Sequence, residues 1–145
     1  MIKNILVIAI FGLLLSCNSP SKKRTTSYVS PTGQSELQQS MERGGLVYTD
    51  FCMQCHLTNG MGVPGTFPPL AGSDWLAEKR TESIHSVKYG QKGEIQVNGV
   101  TYDGVMVPMG LTNEEVADVM NYIMNSWGNT QDGMVTPEEV EAVEE

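Results

Sequence analysis

The stretch Cys52-Met53-Gln54-Cys55-His56 governs the interpretation of the whole chain. Two thiols with two residues between them can reach neighbouring vinyl groups on one edge of a haem and form thioethers, and the histidine that follows can offer its imidazole to the iron. The spacing therefore predicts one covalent haem attached at Cys52 and Cys55, with His56 as an axial ligand of the iron. The rest of the chain would then enclose a large flat cofactor in an apolar envelope.

Two other kinds of site use a pair of cysteines with this spacing. A zinc site needs four ligands, and a set that combines the two cysteines with His56 and His85 would place ligands at adjacent positions, which suits a tetrahedral site poorly. The remaining cysteine, Cys17, lies far upstream. A thioredoxin-like redox pair belongs to a βαβ unit, whereas the residues before Cys52 have a helical pattern. We therefore favour haem over both.

The chain is short and acidic. Its 145 residues suffice for one domain with attachments, and its formal net charge is −8. Such a chain would be repelled by phosphates, so we expect no nucleic-acid partner. The negative charge can steer the protein towards a basic partner, but it can equally serve solubility alone, and the composition favours solubility.

The first 16 residues have the proportions of a signal peptide, because Lys3 is followed by a nearly unbroken apolar run that is too short to span a bilayer comfortably. Leu14-Leu15-Ser16-Cys17 resembles the lipobox of bacterial lipoproteins, which implies cleavage before Cys17 and lipid on its sulfur and new amino terminus. We expect an exported protein that is anchored by lipid to a bacterial membrane, with a periplasmic or outer-face domain. Ordinary secretion and an uncleaved anchor are the alternatives.

Composition divides the mature chain into three parts. Residues 17–35 are expected to be a lipidated cysteine and a flexible linker, since they are rich in Ser, Pro and basic residues and lack apolar patterning. Residues 36–130 are expected to form the folded domain. Residues 131–145 are expected to be an acidic tail or a short helix that begins at Thr136-Pro137.

The first helix is predicted to begin at Ser35, which forms a capping box with Gln38; Ser40 is a competing start. Gly44 inside this helix costs roughly 1 kcal/mol relative to alanine. That cost is compensated if a second helix crosses closely at the glycine, with Tyr48, one turn later on the same face, packed beside the crossing.

Residues 57–72 have no helical period and are crowded with glycine and proline, which is typical of an ordered loop that wraps a ligand. We expect Phe67 and Leu70 to contact the haem. Met61 is a less favoured iron ligand, because it would have to leave the proximal side within five residues of His56.

Residues 74–89 are predicted to form two short helices that meet near Arg80 and stop at Gly90. Trp75 is a candidate for the core and the haem pocket. His85 could in principle be a second iron ligand, but its polar neighbours favour a solvated helix position.

The pattern then changes to a hairpin over residues 94–102, with Asn98-Gly99 as its two-residue turn. A loop is expected over residues 103–110. A helix over residues 112–127 begins with a second capping box and has an apolar stripe at spacings of three and four, and Gly128 is expected to end it.

The loop before this helix contains two candidates for the second iron ligand. Met106 lies six residues before the helix cap Thr112 and Met109 lies three before it, so Met106 has more chain with which to reach the iron. We favour Met106 and keep Met109 as the alternative. A thioether ligand raises the reduction potential of the iron and closes it to oxygen and peroxide.

Taken together, residues 38–127 resemble the class I monohaem c-type cytochromes. Gly44 and Tyr48 match a glycine and an aromatic of that family's first helix, and Tyr122 matches an aromatic on its last helix, which crosses the first at the glycine. The resemblance implies an all-α, class I cytochrome c-like fold. It further implies three to five short helices around one covalent haem c, with a small β-hairpin before the loop that carries the axial methionine.

The resemblance also implies how the proximal histidine is oriented. In the family, a proline carbonyl in the loop after the motif binds the second nitrogen of the ligating histidine, and residues 67–72 resemble that region. Pro68 is the expected partner, with Pro69 as the alternative. Family members commonly have proline directly after the axial methionine, whereas here Val107 follows Met106.

The implied function is electron transfer at an exposed haem edge, with the protein acting as a carrier or as the subunit through which electrons enter a respiratory or dehydrogenase complex. The expected partners are redox proteins, namely an oxidase, a reductase or a dehydrogenase. No carboxylate pair or activated nucleophile suggests catalysis, so we do not expect an enzyme. The alternatives are a haem peroxidase-type enzyme and a diatomic-gas sensor, both of which need an open or labile sixth position on the iron.

Overall fold

A computed structural model describes residues 34–145. The predicted signal peptide, the predicted lipidation site Cys17 and the predicted linker up to residue 33 lie outside the described residues. None of the helices within residues 34–145 is long and apolar enough to cross a bilayer.

The described chain is mostly helical, with one antiparallel two-stranded hairpin, and this confirms the predicted class I cytochrome c-like architecture. Three of its helices span only one turn. The elements in chain order are α1 (Glu36–Val47), a π-helical turn (Tyr48–Cys52), α2 (Met53–His56), α3 (Asp74–Glu78), α4 (Arg80–Tyr89), β1 (Gln91–Val97), β2 (Val100–Met106), α5 (Asn113–Ile123) and α6 (Pro137–Glu141).

The predicted starts of α1 and α5 are confirmed. The Ser35 hydroxyl accepts from the Gln38 backbone N–H, while the Gln38 side chain accepts from the Ser35 N–H, which completes the capping box. Ser40, the competing start, lies buried inside α1. Thr112 caps α5 in the same way through Glu115.

The central packing contact is the crossing of α1 and α5. A Cβ added at Gly44 would lie 1.9 Å from the backbone oxygen of Asp118, so only glycine allows the two backbones to approach this closely. Tyr48, one turn further along the chain, is buried, and its ring centroid lies 5.4 Å from that of Tyr122 on α5. The predicted compensation for a mid-helix glycine is therefore confirmed.

A buried polar cluster lies beside the crossing. The Asp118 carboxylate accepts from the Ser40 hydroxyl at 2.6 Å and from Arg43 Nε at 2.6 Å. Asn121 donates to Ser40 Oγ at 2.8 Å and to the Val135 carbonyl at 2.9 Å, and its own side-chain oxygen accepts from the Val135 N–H. These bonds satisfy polar groups that would be costly to bury alone, and they tie the C-terminal segment to α1 and α5.

Two predicted boundaries are wrong. The hairpin is longer than expected, because β2 continues to Met106 and pairs it with Gln91, so the loop that follows begins at Val107. The helix α5 ends at Ile123 rather than at residue 127: beyond it the Asn125 N–H donates to the Tyr122 carbonyl, three residues back, and Asn129 Nδ2 donates to the Ile123 carbonyl. The break between α3 and α4, at Lys79, and the stop at Gly90 are confirmed.

The C-terminal segment packs against the domain. Val135, Val140 and Val143 are buried in the same apolar core as residues of α4 and α5. Arg80 on α4 binds Glu139 on α6 through two hydrogen bonds of 2.6 and 2.9 Å. Residues 131–145 therefore include a short helix that covers the core, although their composition is that of a solvated tail.

We expect Gly44→Ala to destabilise the holoprotein by about 1–3 kcal/mol, the usual cost of overpacking a close contact. The added Cβ would collide with the Asp118 backbone, which cannot swing away as a side chain can. Gly45→Ala is the matched control, because its Cβ would meet only the Tyr122 ring at 3.3 Å. Urea unfolding measures both, and equal losses of stability would contradict the crossing.

We expect the Arg80–Glu139 ion pair to contribute to stability at neutral pH and to lose that contribution in acid. The hydrogen bonds from Arg80 lower the pKa of Glu139 in the folded protein. The contribution is therefore complete above the unfolded pKa of about 4.3 and is lost as pH falls through the lower folded value. Glu139→Gln should thus lower the urea midpoint at pH 7, relative to wild type, and this difference should shrink towards about pH 3.

The control for this measurement is Glu141→Gln, which alters an exposed residue on the same helix with the same change of charge and no ion pair among residues 34–145. A difference between wild type and Glu139→Gln that is independent of pH would contradict the prediction.

Candidate cofactor site

A cavity of about 230 Å³ opens between α2, the loop of residues 66–70, the α3–α4 pair, the hairpin and α5. Of the residues predicted for the site, eight line this cavity together with both candidate methionines: Cys52, Cys55, His56, Phe67, Pro68, Pro69, Leu70 and Trp75. The structure therefore brings the separate sequence motifs to one place. Among residues 34–145, no lysine, arginine or carboxylate lines the cavity.

The two cysteines lie at the wall of the cavity as free, partly buried thiols. Burial raises the pKa of Cys52 to about 11, so this thiol is protonated near neutral pH. Within the described part of the chain, no group of three or more His, Cys, Asp or Glu side chains gathers into a metal-ion site. Since both cysteines line the cavity, they are placed for attachment to a group inside it.

His56 is buried at this cavity and its ring is hydrogen-bonded to the backbone. Its Nδ1 lies 3.0 Å from the Pro68 carbonyl oxygen, and because a carbonyl can only accept, Nδ1 must bear the proton. Burial lowers the pKa of His56, although the bond to Pro68 acts in the opposite direction. The neutral ring therefore keeps the lone pair of Nε2 available for a metal. Of the two candidate prolines, Pro68 is the one that binds His56.

The chain after His56 turns sharply. Leu57 has φ of 63° and ψ of 165°, a conformation that residues other than glycine rarely adopt. The His56 carbonyl accepts from the Gly62 N–H at 3.1 Å, and the Leu57 carbonyl accepts from the Tyr48 hydroxyl at 2.6 Å. Gly60 lies under Trp127, where a Cβ would come within 2.5 Å of the indole ring. This tight turn directs the loop back over the imidazole.

The hairpin forms a wall of the cavity that the sequence interpretation missed. Its inward face contributes Ile95, Val97 and Tyr102, while α5 contributes Val119 and Ile123. The alternation of apolar residues in β1 was a signal for one buried face. It did not reveal that this face lines the same cavity as the cysteine motif.

Both candidate methionines line the cavity. Met106 is the last residue of β2 and follows Tyr102 and Gly104 at alternate positions along the cavity; its neighbours Val105 and Val107 also reach the lining but are 75% and 59% exposed. The backbone of Met106 packs against Gly90, where an added Cβ would lie 2.5 Å from the Met106 oxygen. Regular pairing and close packing therefore hold Met106 at the cavity, whereas Met109 lies in the irregular segment beyond β2.

Two weaker ligand candidates lie elsewhere. Met61 is 54% exposed and does not line the cavity. His85 also lies outside the lining, and its ring packs against Tyr89 with a centroid separation of 5.3 Å. Neither residue is placed to bind a group that His56 binds.

The residues at the cavity fit a covalently attached haem. Two thiols could provide attachment points, a buried neutral imidazole could provide a nitrogen ligand, and either candidate methionine could provide sulfur. The walls are apolar apart from hydroxyl and amide side chains, as a large flat cofactor requires.

Comparison with known proteins identifies the class to which this fold and site belong. Residues 41–127 match the cytochrome c family model, and the chain belongs to this family. It therefore binds haem c covalently.

The relatives include a cytochrome named on its own and cytochrome subunits of dehydrogenases. Over 93 residues the chain is 42% identical to cytochrome c-552 of Thermus thermophilus, covering 61% of this chain and 70% of that protein. It is 34% identical over 101 residues to the cytochrome c subunit of alcohol dehydrogenase (quinone) from Gluconacetobacter polyoxogenes, covering 67% of this chain and 21% of the subunit. It is 35% identical over 104 residues to the gluconate 2-dehydrogenase cytochrome c subunit of Pantoea cypripedii, covering 68% and 23%. The chain thus matches about a fifth of each dehydrogenase subunit.

Proposed function

We propose that the protein is a class I monohaem cytochrome that transfers electrons through a haem c ligated by His56 and Met106. The observation that supports this most strongly is that His56 and Met106 line the same cavity. His56 is neutral and its ring is oriented by the Pro68 carbonyl, and Met106 is the last residue of β2. Cys52 and Cys55 would provide the covalent attachment.

Bound haem supplies a one-electron couple between ferrous and ferric iron. The chain's own residues set the conditions for that couple. The bond from His56 Nδ1 to Pro68 fixes the plane of the ring and makes its other nitrogen a stronger donor, which favours ferric iron. A thioether from Met106 acts in the opposite direction and raises the potential. The apolar walls formed by the hairpin and α5 limit access of water and keep the local dielectric low.

We propose that the redox partners are other proteins, either an oxidase, a reductase or a dehydrogenase, and that the protein acts as a carrier or as a subunit of such a complex rather than as an enzyme. Relatives that are cytochrome c subunits of dehydrogenases support this class of partner. Residues 34–145 contain 17 acidic and five basic residues, a formal charge of −12. Their field would attract a partner with a basic docking face.

We further propose that a lipid on Cys17 anchors the exported protein to a bacterial membrane, with the haem domain on the periplasmic or outer face. The support is the lipobox-like sequence that ends at Cys17 and the linker composition that follows it. Two or three acyl chains would give stable attachment where one would not.

The ligand assignment is tested by visible spectroscopy of the matured holoprotein. Ferric iron bonded to a thioether has a weak far-red charge-transfer band, which we expect in wild type and in Met109→Ala but not in Met106→Ala. Loss of the band in Met109→Ala alone would leave electron transfer in place and move the ligand to Met109. Absence of the band in wild type, together with ready binding of carbon monoxide to ferrous iron, would contradict the proposed function and favour a peroxidase or a gas sensor.

The anchor is tested by expressing the full chain in a bacterium that is fed labelled palmitate. We expect wild type to incorporate label and to sediment with membranes, and Cys17→Ser to lose both properties. Ser19→Ala is the matched control, because it changes a neighbouring residue of the linker and leaves the lipobox-like sequence intact. Unlabelled wild-type protein would overturn the anchor without affecting the haem assignment.

A further inference from the structure

The turn that follows His56 is held partly by backbone hydrogen bonds: the Leu57 N–H donates to the Met53 carbonyl at 2.9 Å, and the Gly60 N–H donates to the Leu57 carbonyl at 3.2 Å. Leu57, with φ of 63° and ψ of 165°, occupies a region of backbone conformation that is almost confined to glycine. A leucine remains there only if surrounding contacts prevent it from relaxing. One such contact comes from the hydroxyl of Tyr48, the first residue of the π-helical turn that precedes α2.

The Tyr48 hydroxyl donates to the Leu57 carbonyl at 2.6 Å, a short and well-formed bond. Tyr48 is 2% exposed, and its ring lies against those of Tyr122 and Trp127 at centroid separations of 5.4 and 5.1 Å. Because the ring is fixed by this packing and by the α1–α5 crossing, the hydroxyl is an immobile donor. Burial raises the pKa of Tyr48, so the hydroxyl keeps its proton near neutral pH.

The turn held by Tyr48 supports the carbonyl that orients His56. Gly62, five residues after Leu57, packs so closely on the loop that an added Cβ would lie 2.3 Å from the Phe67 oxygen and 2.6 Å from the Pro68 oxygen. The Gly60 carbonyl accepts from the Leu70 N–H at 2.7 Å, which fastens the turn to the far side of Pro68. A change at Leu57 would therefore displace the Pro68 carbonyl relative to the imidazole.

We propose that Tyr48 is a positioning residue for His56: its hydroxyl holds Leu57 in the positive-φ conformation and thereby keeps the Pro68 carbonyl on His56 Nδ1. The proposal rests on the proposed function, in which His56 binds the haem iron. The ring of Tyr48 only packs in the aromatic cluster, whereas its hydroxyl would hold the turn. Through the Pro68 carbonyl, the hydroxyl would also affect how strongly the His56 imidazole donates electrons to the iron.

The test compares Tyr48→Phe with Tyr122→Phe in the holoprotein. Both variants keep their rings in the same aromatic cluster, but only the first removes a hydrogen bond, since the Tyr122 hydroxyl has no hydrogen bond within residues 34–145. Two properties are measured: the rate at which His56 Nδ1–H exchanges with solvent in the ferrous protein, followed by NMR, and the midpoint reduction potential.

For Tyr48→Phe we expect Nδ1–H exchange to accelerate by at least about fivefold, the factor expected for loss of one ordinary hydrogen bond. The potential should rise, because an imidazole that donates less firmly to Pro68 stabilises ferric iron less. Tyr122→Phe should leave both properties at their wild-type values. Equal effects in the two variants, or no effect in Tyr48→Phe, would overturn the proposal.

The double variant Tyr48→Phe with Leu57→Gly provides the rescue. Glycine adopts the positive-φ conformation without help, so we expect exchange and potential to return towards the values of Leu57→Gly alone. If Tyr48→Phe fails to acquire haem, recovery of haem in the double variant supports the proposal, and failure of both assigns the hydroxyl to folding alone and overturns it. Wild-type spectra without an iron-bound His56 would instead refute the proposed function itself, before any variant is compared.

Discussion

The close approach of α1 and α5 is the constraint on which the rest of the structure depends. The two backbones touch at Gly44 and Asp118, and no larger residue fits at the glycine. This contact fixes the direction in which α1 delivers the chain to the cysteine motif. It also places Tyr48 and Tyr122 against each other. The geometry of the cofactor site therefore depends on a contact between two helices, α1 and α5.

Around this crossing, the cavity is built from parts that come from the whole length of the domain. The cysteine motif supplies one wall, the proline loop covers the imidazole, and the hairpin and α5 supply further apolar surface. Because the apolar lining comes from several elements, a covalently bound haem would contact all of them at once and add apolar packing to the core.

Sequence reasoning succeeded where the signal is local. Capping boxes at Ser35 and Thr112 are each decided by a few neighbouring residues, and the glycine at position 44 was recognisable because a glycine inside a helix is costly unless a close contact requires it. It could not find the Ser40–Arg43–Asp118 cluster, because the partners lie more than 70 residues apart and each residue alone is ordinary on a helix surface. The end of α5 was misplaced because the Ile123 carbonyl accepts from the Asn129 side chain rather than from a further helical turn, and the apolar pattern carries no signal for this contact. The sequence indicates that one face of the hairpin is apolar. It does not indicate that this face forms a wall of the cavity, because that depends on how the hairpin packs in the assembled fold.

One asparagine gives the domain a further property. Asn121 binds Ser40, near the beginning of the described domain, and Val135, near its end. A segment near the beginning of the described domain and a segment near its end are therefore held by one side chain. Because Ser40, Asn121 and Val135 do not line the cofactor cavity, this link can stabilise the domain without constraining the walls of the cavity.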